Sequence, residues 1–162
     1  MKGTVIRNAK ETDFWECVEL ARRAWPDFKE RPSIYHLFCK FFNRTCFVAG
    51  RGGKIHGFLL GFLSQVDSKE AYIHLVAVDP KHQRRGIASL LYDKFFKTVT
   101  RMGGRRVSLI VNPDNGPSLR FHKNLGFHKS TKVKRITVRV MAIKDYNGPG
   151  IHMVLFHKDL EP

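Results

Sequence analysis

Val76-Ala77-Val78-Asp79-Pro80-Lys81-His82-Gln83-Arg84-Arg85-Gly86-Ile87-Ala88 changes periodicity halfway along. The first three residues continue an apolar, β-rich run from Ala71, and Asp79-Pro80 closes that strand. From Gly86 to Arg101, Ile87, Leu91, Phe95 and Val99 recur at helical spacing. The N–H groups of a helix's first turn lack internal partners. They converge with the positive end of the helix dipole, so this turn suits an anion. Gly86 lets a phosphate approach the backbone, Ala88 keeps the next contact small, and Arg84 and Arg85 add positive charge. The spacing is neither that of a Walker loop nor that of a dinucleotide fingerprint. Taken alone, a glycine at a helix start is explained as well by capping.

Upstream, Thr4-Val5-Ile6-Arg7 reads as a short strand. Asp13 followed by Glu16 resembles a helix-capping pair. Phe14, Val18, Ala21 and Trp25 keep helical spacing until Pro26 stops the run. A second helix starts at Pro32-Ser33, with Ile34, Leu37, Phe38 and Phe41 on one face. Cys46–Ala49, Ile55–Val66 and Ala71–Val78 then form an antiparallel meander, turned at Arg51–Lys54 and Asp67–Lys69. Gly57 and Gly61 predict close packing or a bulge in its middle strand. Downstream come a buried-type strand, Arg106–Val111, and a short helix from Ser118 to Leu125 stopped by Gly126. Two closing strands, Lys132–Ile143 and Ile151–Phe156, are joined by the Asn147–Gly150 turn. The order is β-α-α-β-β-β-α-β-α-β-β, a mixed α+β domain with a mostly antiparallel sheet flanked by helices. With no repeat or linker, residues 1–162 read as one domain.

The chain has 29 basic and 14 acidic residues, a formal charge of +15. Residues 1–30 are balanced, whereas 120–144 contain eight Lys or Arg and no acidic residue. Such a surface attracts polyanions: nucleic acid, anionic lipid or a phosphate-rich cofactor. No RRM, KH or helix-turn-helix signature accompanies it. No apolar run is long enough to span a bilayer, and Met1–Arg7 lacks the pattern of a signal peptide. The expectation is a soluble cytoplasmic protein without a membrane partner. Cys17, Cys39 and Cys46 have no CxxC spacing, and the scattered histidines have no ligand spacing, so no disulfide framework or metal site is expected.

The strand, turn and Gln83-Arg84-Arg85-Gly86-Ile87-Ala88 resemble the cofactor motif of the GNAT superfamily of N-acetyltransferases. Val111-Asn112-Pro113-Asp114-Asn115-Gly116-Pro117-Ser118, followed by Phe121-His122-Lys123-Asn124-Leu125-Gly126-Phe127, resembles the family's second cofactor segment. Both lie in order, one helix and one strand apart, and the element order fits from Thr4 to Phe156. The resemblance implies an acetyl-CoA site in a V-shaped cleft between the third meander strand and the next strand. It implies that backbone near Val76 and Val78 pairs with the pantetheine arm. By the same resemblance, Gln83 to Ser89 hold the pyrophosphate, and Asn115 and Ser118 contact the cofactor or orient the catalytic segment.

It also implies direct transfer from acetyl-CoA to a primary amine. An amine of lysine type, with a reference pKa near ~10.4, must first lose a proton, and the leaving thiolate is stabilised by gaining one. Where the family often has a tyrosine as acid, this chain has His122, with a reference pKa of about 6.5. Where the family often has a glutamate as base, this strand has no interior carboxylate, and Glu70 only precedes it. His74 or Tyr72 are the candidates for a relay. Strand alternation predicts Ile73, Leu75 and Ala77 on one face and Tyr72, His74 and Val76 on the other. The cysteines lie outside both motifs, which disfavours transfer through a thiol.

The acceptor site is expected among the two N-terminal helices and the final hairpin, near Trp15, Trp25, Tyr35, Phe38 and Tyr146. The acceptor amine can carry an anionic part. Two alternatives stand beside the enzyme: a non-catalytic acyl-CoA-binding sensor or scaffold, and an RNA-associated acetyltransferase using the basic 120–144 face. The sequence leaves the choice between monomer and homodimer open.

Overall fold

The turn between Arg51 and Lys54 holds Gly52 and Gly53 at φ of 58° and 79°. Glycine adopts that left-handed backbone without a Cβ penalty, and strand β2 (Phe47–Arg51) folds back onto β3 (Lys54–Leu63). Strand β1 (Val5–Asn8) pairs antiparallel with β2, and β4 (Glu70–Val78) pairs antiparallel with β3. The computed structural model describes residues 3–25, 36–130, 134–135 and 141–161.

Helix α1 (Phe14–Ala24) and the short α2 (His36–Lys40) lie between β1 and β2. The expected helix stop at Pro26 and start at Pro32-Ser33 lie outside the described residues. The remaining elements are α3 (Ile87–Arg101), β5 (Arg106–Val111), α4 (Gly116–Asn124), β6 (His128–Lys129), β7 (Lys134–Arg135), β8 (Met141–Ala142) and β9 (Val154–Asp159). One sheet has the order β1-β2-β3-β4-β5-β9-β6. Its one parallel contact among the described residues joins β4 to β5. The mostly antiparallel α+β class is as expected.

Each sheet face has its own core. Helix α3 lays Ile87, Leu91, Tyr92, Phe95 and Val99 on one face, with Phe47, Leu59, Ile73, Leu109 and Phe156. Helices α1 and α2 bury Cys17, Val18, Leu20, Phe38 and Cys39 on the other, against Val48, Phe58, Leu60 and Ala77. Gly57 and Gly61 let α3 sit close: a Cβ on Gly61 would lie 2.5 Å from Phe95 Cε2 and 2.7 Å from the Tyr72 carbonyl oxygen. Among the described residues no helix is long and apolar enough to cross a membrane.

Three expectations need correction. Asp13 and Glu16 do not form a capping pair. Asp13 instead takes a two-pronged bond from Arg7, at 2.6 and 2.9 Å, and the Lys10 N–H at 2.7 Å. The planar guanidinium is a stronger, charge-assisted partner than a helix N–H. Glu16 accepts the Ile55 N–H at 2.6 Å and ties α1 to β3. Lys132–Ile143 is not one strand either, since β7 and β8 pair with each other antiparallel. Residues 132–133 and 136–140 of that span lie outside the described residues; beyond β8, Ile143 forms a bridge to Met153, and the last strand is displaced to Val154–Asp159.

The third correction concerns the faces of β4. The β3–β4 register runs Leu60↔Leu75 and then Gly61↔Ile73, so His74 is an extra residue on β4. Such a bulge turns the following side chains over. Ala71 and Ile73 face the α3 core, as do Val76 and Val78, while Leu75 and Ala77 face the α1–α2 core. The expected grouping of Ile73 with Leu75 and Ala77 therefore fails, because it assumed unbroken alternation.

Candidate functional site

Strands β4 and β5 are hydrogen-bonded only where they begin, at Glu70↔Arg106, Ala71↔Val107 and Tyr72↔Ser108. Beyond that pair β4 runs on to Val78 against β3, and β5 runs on to Val111 against β9. The strands therefore part into a wedge whose β4 wall includes Val76 and Val78, both half-buried. Among the described residues, backbone groups on the β4 edge facing the wedge have no ladder partner there. That edge can pair with an extended, amide-bearing ligand as a strand would. Glu70 is the first residue of β4, rather than preceding the strand, and accepts a hydrogen bond from Ser108 Oγ at the foot of the wedge.

At the open end the chain turns through Asp79 to Gly86. Asp79 caps a short 3-10 turn, Pro80–His82, by accepting the Lys81 N–H at 3.0 Å. Gln83 donates its side-chain amide to the Val78 carbonyl at 3.2 Å, folding the loop against the strand end. Arg84 and Gly86 both have positive φ, 57° and 72°. Left-handed residues in such a loop turn successive N–H groups towards one concave spot, a geometry that binds anions. No side chain caps α3, so the first-turn N–H groups of Ile87, Ala88 and Ser89 point into the same space. Gln83, Arg84, Arg85 and Gly86 are exposed, whereas the Ile87 side chain is buried, so only its backbone can serve a ligand.

Helix α4 starts differently. Asn115 Oδ1 accepts the Ser118 N–H at 3.0 Å, so Asn115 orients the helix. One turn later His122 is buried among Tyr92, Phe121, Phe127 and Phe156. Its Nδ1 lies 2.8 Å from the Ser118 carbonyl oxygen. A carbonyl only accepts, so Nδ1 carries the proton. In the neutral ring Nε2 is then the acceptor, and the Tyr92 hydroxyl donates to it at 2.6 Å. Burial pushes the His122 pKa below its ordinary value, with the Ser118 bond opposing in part. Burial also raises the Tyr92 hydroxyl.

On the face opposite α3, a run of rings begins on β4 with Tyr72 and His74 and continues over β3 and α2. His74 stacks on Phe38 at 4.8 Å, and Phe38 neighbours Phe42 and Phe62. Phe62 in turn contacts Tyr72 at 5.6 Å. Burial, with a smaller contribution from nearby Tyr146, pushes Tyr72 up to about 12. It therefore remains a phenol near neutral pH and can donate a hydrogen bond, but not act as a phenolate base. Of the aromatic residues expected here, Trp15 is 69% exposed on α1, Trp25 ends α1, and Tyr35 lies outside the described residues. The three cysteines are buried and unbridged.

The sequence did not disclose one cluster. Arg23, in the last turn of α1, binds Asp79 at 3.0 Å. Burial alone would raise the Asp79 carboxyl, but the Lys81 N–H and Arg23 outweigh it and hold it below the usual range. His82 lies 3.7 Å from Asp79 and stacks on His56 at 3.8 Å. The Asp79-Pro80 dipeptide signalled the turn, but only tertiary packing brings Arg23 and His56 to it.

Residues 14–127 match the Acetyltransferase (GNAT) family. The chain is 30% identical over 146 residues to an uncharacterised N-acetyltransferase of Methanocaldococcus jannaschii, covering 83% of this chain and 65% of that protein. It spans about half the length of several other curated relatives, among them L-2,4-diaminobutyric acid acetyltransferases. The fold superposes on Ard1 of Thermoplasma volcanium with a TM-score of 0.78 at 22% identity, covering 99% of both chains. It also superposes on diaminobutyrate acetyltransferase from Paenibacillus lautus, solved with L-2,4-diaminobutyric acid and coenzyme A. That match has a TM-score of 0.71 at 24% identity, over 95% of this chain and 93% of the other.

Proposed function

The chain belongs to the GNAT acetyltransferase family, whose members take acetyl-CoA as acyl donor, and on that premise we propose that it acetylates a primary amine held in the β4–β5 wedge. The observation that carries the reading is the coincidence of two fits. The parted strands offer an unpaired edge to an amide-bearing arm, and the left-handed turn at Arg84 and Gly86 offers converging N–H groups to a pyrophosphate.

In this reading the β4 edge at Val76 and Val78 aligns the pantetheine arm. The loop from Gln83 to Ser89 holds the phosphates with backbone N–H groups and the charges of Arg84 and Arg85. Asn115 and Ser118 fix the start of α4 beside them. When bound, acetyl-CoA supplies an activated thioester whose carbonyl carbon bonds the amine nitrogen as the C–S bond breaks and the thiolate leaves. The protein's part is then to bring the amine and the thioester together and to manage two protons. Transfer is direct, because Cys17, Cys39 and Cys46 are all buried in the α1–α2 core. The cation-rich surface supports an acceptor with an anionic part remote from the amine.

The candidate acid is His122. In the described arrangement its ring is a neutral acceptor, so it must first become cationic to give a proton from Nε2. Burial opposes that cation. Acid catalysis by His122 is therefore present at low pH and lost as pH rises through a value below about 6.5.

The test is thiol release with a panel of amines, followed across pH. Turnover divided by the neutral fraction of each amine is expected to fall as pH rises through the lowered His122 pKa, and a His122→Gln variant to lose that dependence together with about tenfold or more in kcat. CoA binding without thiol release on any amine would point instead to a sensor. A His122→Gln variant with an unchanged profile would leave the fold's histidine purely structural.

A further inference from the structure

We infer that the acceptor is an α-amine, one carbon from a carbonyl group, whose α-carbon carries a large apolar side chain; this rests on the transfer reading above. Two independent features lead there.

The first is the wall beside the wedge. His74, Phe38, Phe62 and Tyr72 form a continuous run of rings, with Phe42 behind it, on the face opposite α3. It borders the wedge where β4 and β5 separate, since Tyr72↔Ser108 is their last pair. The bulge at His74 keeps both His74 and Leu75 on this face. Phe42, Phe62, Tyr72 and His74 are each only partly buried, so ring surface is left for a substrate. In the transfer reading, a substituent next to the reacting amine meets this wall at its β4 end, Tyr72 and His74. Apolar groups gain by leaving water there, whereas a second ammonium would need a carboxylate. The nearest on β4, Glu70, is at the strand's start and bound to Ser108.

The second feature is the acceptor's own proton. The interior of β4 offers no carboxylate, and Tyr72 is held as a phenol. With no carboxylate inside β4 and no phenolate among the described residues of the wedge, the site acts on the fraction of amine that is already neutral. An α-amino group has a reference pKa of about 7.7–8.0, against about 10.4 for a lysine side chain. At neutral pH that difference gives the α-amine a neutral fraction roughly 300-fold larger. Desolvation against the wall lowers an amine's pKa further, because burial disfavours the charged form. The ring wall and the missing base thus select the same acceptor.

Two sources carry this chemistry, the N-terminus of a peptide and a free amino-acid amide, and the assay separates them. Thiol release is measured at pH 7.5 with pentapeptides beginning in Leu, Phe, Gly or Asp, with leucinamide, with an N-terminally blocked peptide containing one lysine, and with L-2,4-diaminobutyric acid. Leu- or Phe-first acceptors should exceed the blocked lysine peptide by about 100-fold or more in kcat/KM, and the Gly- and Asp-first peptides by about tenfold. Leucinamide matching the peptides identifies a small acceptor, and a large preference for the peptide identifies a polypeptide. Phe62→Ala should erase the apolar preference with CoA affinity unchanged. Phe62→Leu, a milder change, should reduce it and guards against misfolding. Equal or better turnover of the lysine peptide, of diaminobutyric acid or of the Asp-first peptide would overturn this inference while leaving acetyl transfer intact. CoA binding with no turnover of any amine would overturn both.

Discussion

The two faces of the sheet are built by different means. On the α3 face the features proposed to hold the cofactor are backbone: a left-handed turn, uncapped N–H groups and a strand edge without a ladder partner among the described residues. Glycines there let the helix approach. On the α1–α2 face the features are side chains, a run of rings drawn from α2, β3 and β4 and completed by a bulge. In the proposed reading backbone geometry serves the invariant cofactor, while ring packing can be altered residue by residue. The difference teaches that cofactor and acceptor recognition should be separable by mutation.

The largest expected effect tests that separation at Gly86. Its φ of 72° suits glycine, and a β-branched residue there is strained by about 1–2 kcal/mol and intrudes on the phosphate. Gly86→Val should weaken CoA binding by about two orders of magnitude or more, by calorimetry. Because a domain's stability is roughly 5–15 kcal/mol, circular dichroism should still show a folded protein. Normal CoA affinity in this variant would remove the pyrophosphate from the Gln83–Ser89 loop.

An intermediate effect is expected at Gly61, where the α3 helix meets the sheet. An added Cβ would meet the Tyr72 carbonyl oxygen, which the β3–β4 ladder holds in place, as well as the Phe95 ring. Gly61→Ala should cost about 1–3 kcal/mol in urea unfolding. Phe95 sits on the helix that follows the proposed phosphate loop, so CoA affinity should drop along with stability, while the apolar acceptor preference persists. Loss of that preference with CoA affinity intact would reverse the assignment of the two faces.

The same contrast explains what could be read without coordinates. The β4–turn–α3 segment was legible because its signals are local: an apolar run, Asp79-Pro80, a glycine and helical spacing within a few residues. Gly126 announced the end of α4 in the same way. The acceptor side was not legible, since Phe62 and Phe42 carry no motif and meet only through tertiary packing. The bulge was half visible. Gly61 marked the place, but the extra residue is on the partner strand, at His74, and this reversed the assignment of β4's later side chains. Asp13 misled because its spacing to Glu16 fits a cap, whereas Arg7, six residues away, is the stronger partner.

The smallest effect probes a link between the faces. Arg23 reaches from α1 to Asp79, which also caps the turn leading to the phosphate loop. The two contributions can be separated. Asp79→Asn keeps an oxygen for the Lys81 N–H but loses the charge facing Arg23. Since Arg23 is half exposed, that loss should be within about 1 kcal/mol. Asp79→Ala loses the cap as well, costing about 1 kcal/mol more, and CoA affinity should fall about fivefold against less than twofold for Asn. The charge contribution has a definite pH dependence. Because the folded carboxyl is held below its ordinary value, its stabilisation is complete above about pH 4 and is lost as pH falls through the folded pKa. Thermal midpoints of wild type and Asp79→Asn should therefore differ near neutrality and converge in acid. If they differ equally at every pH, the Arg23 contact contributes packing rather than charge, and α1 is joined to the cofactor loop by shape alone.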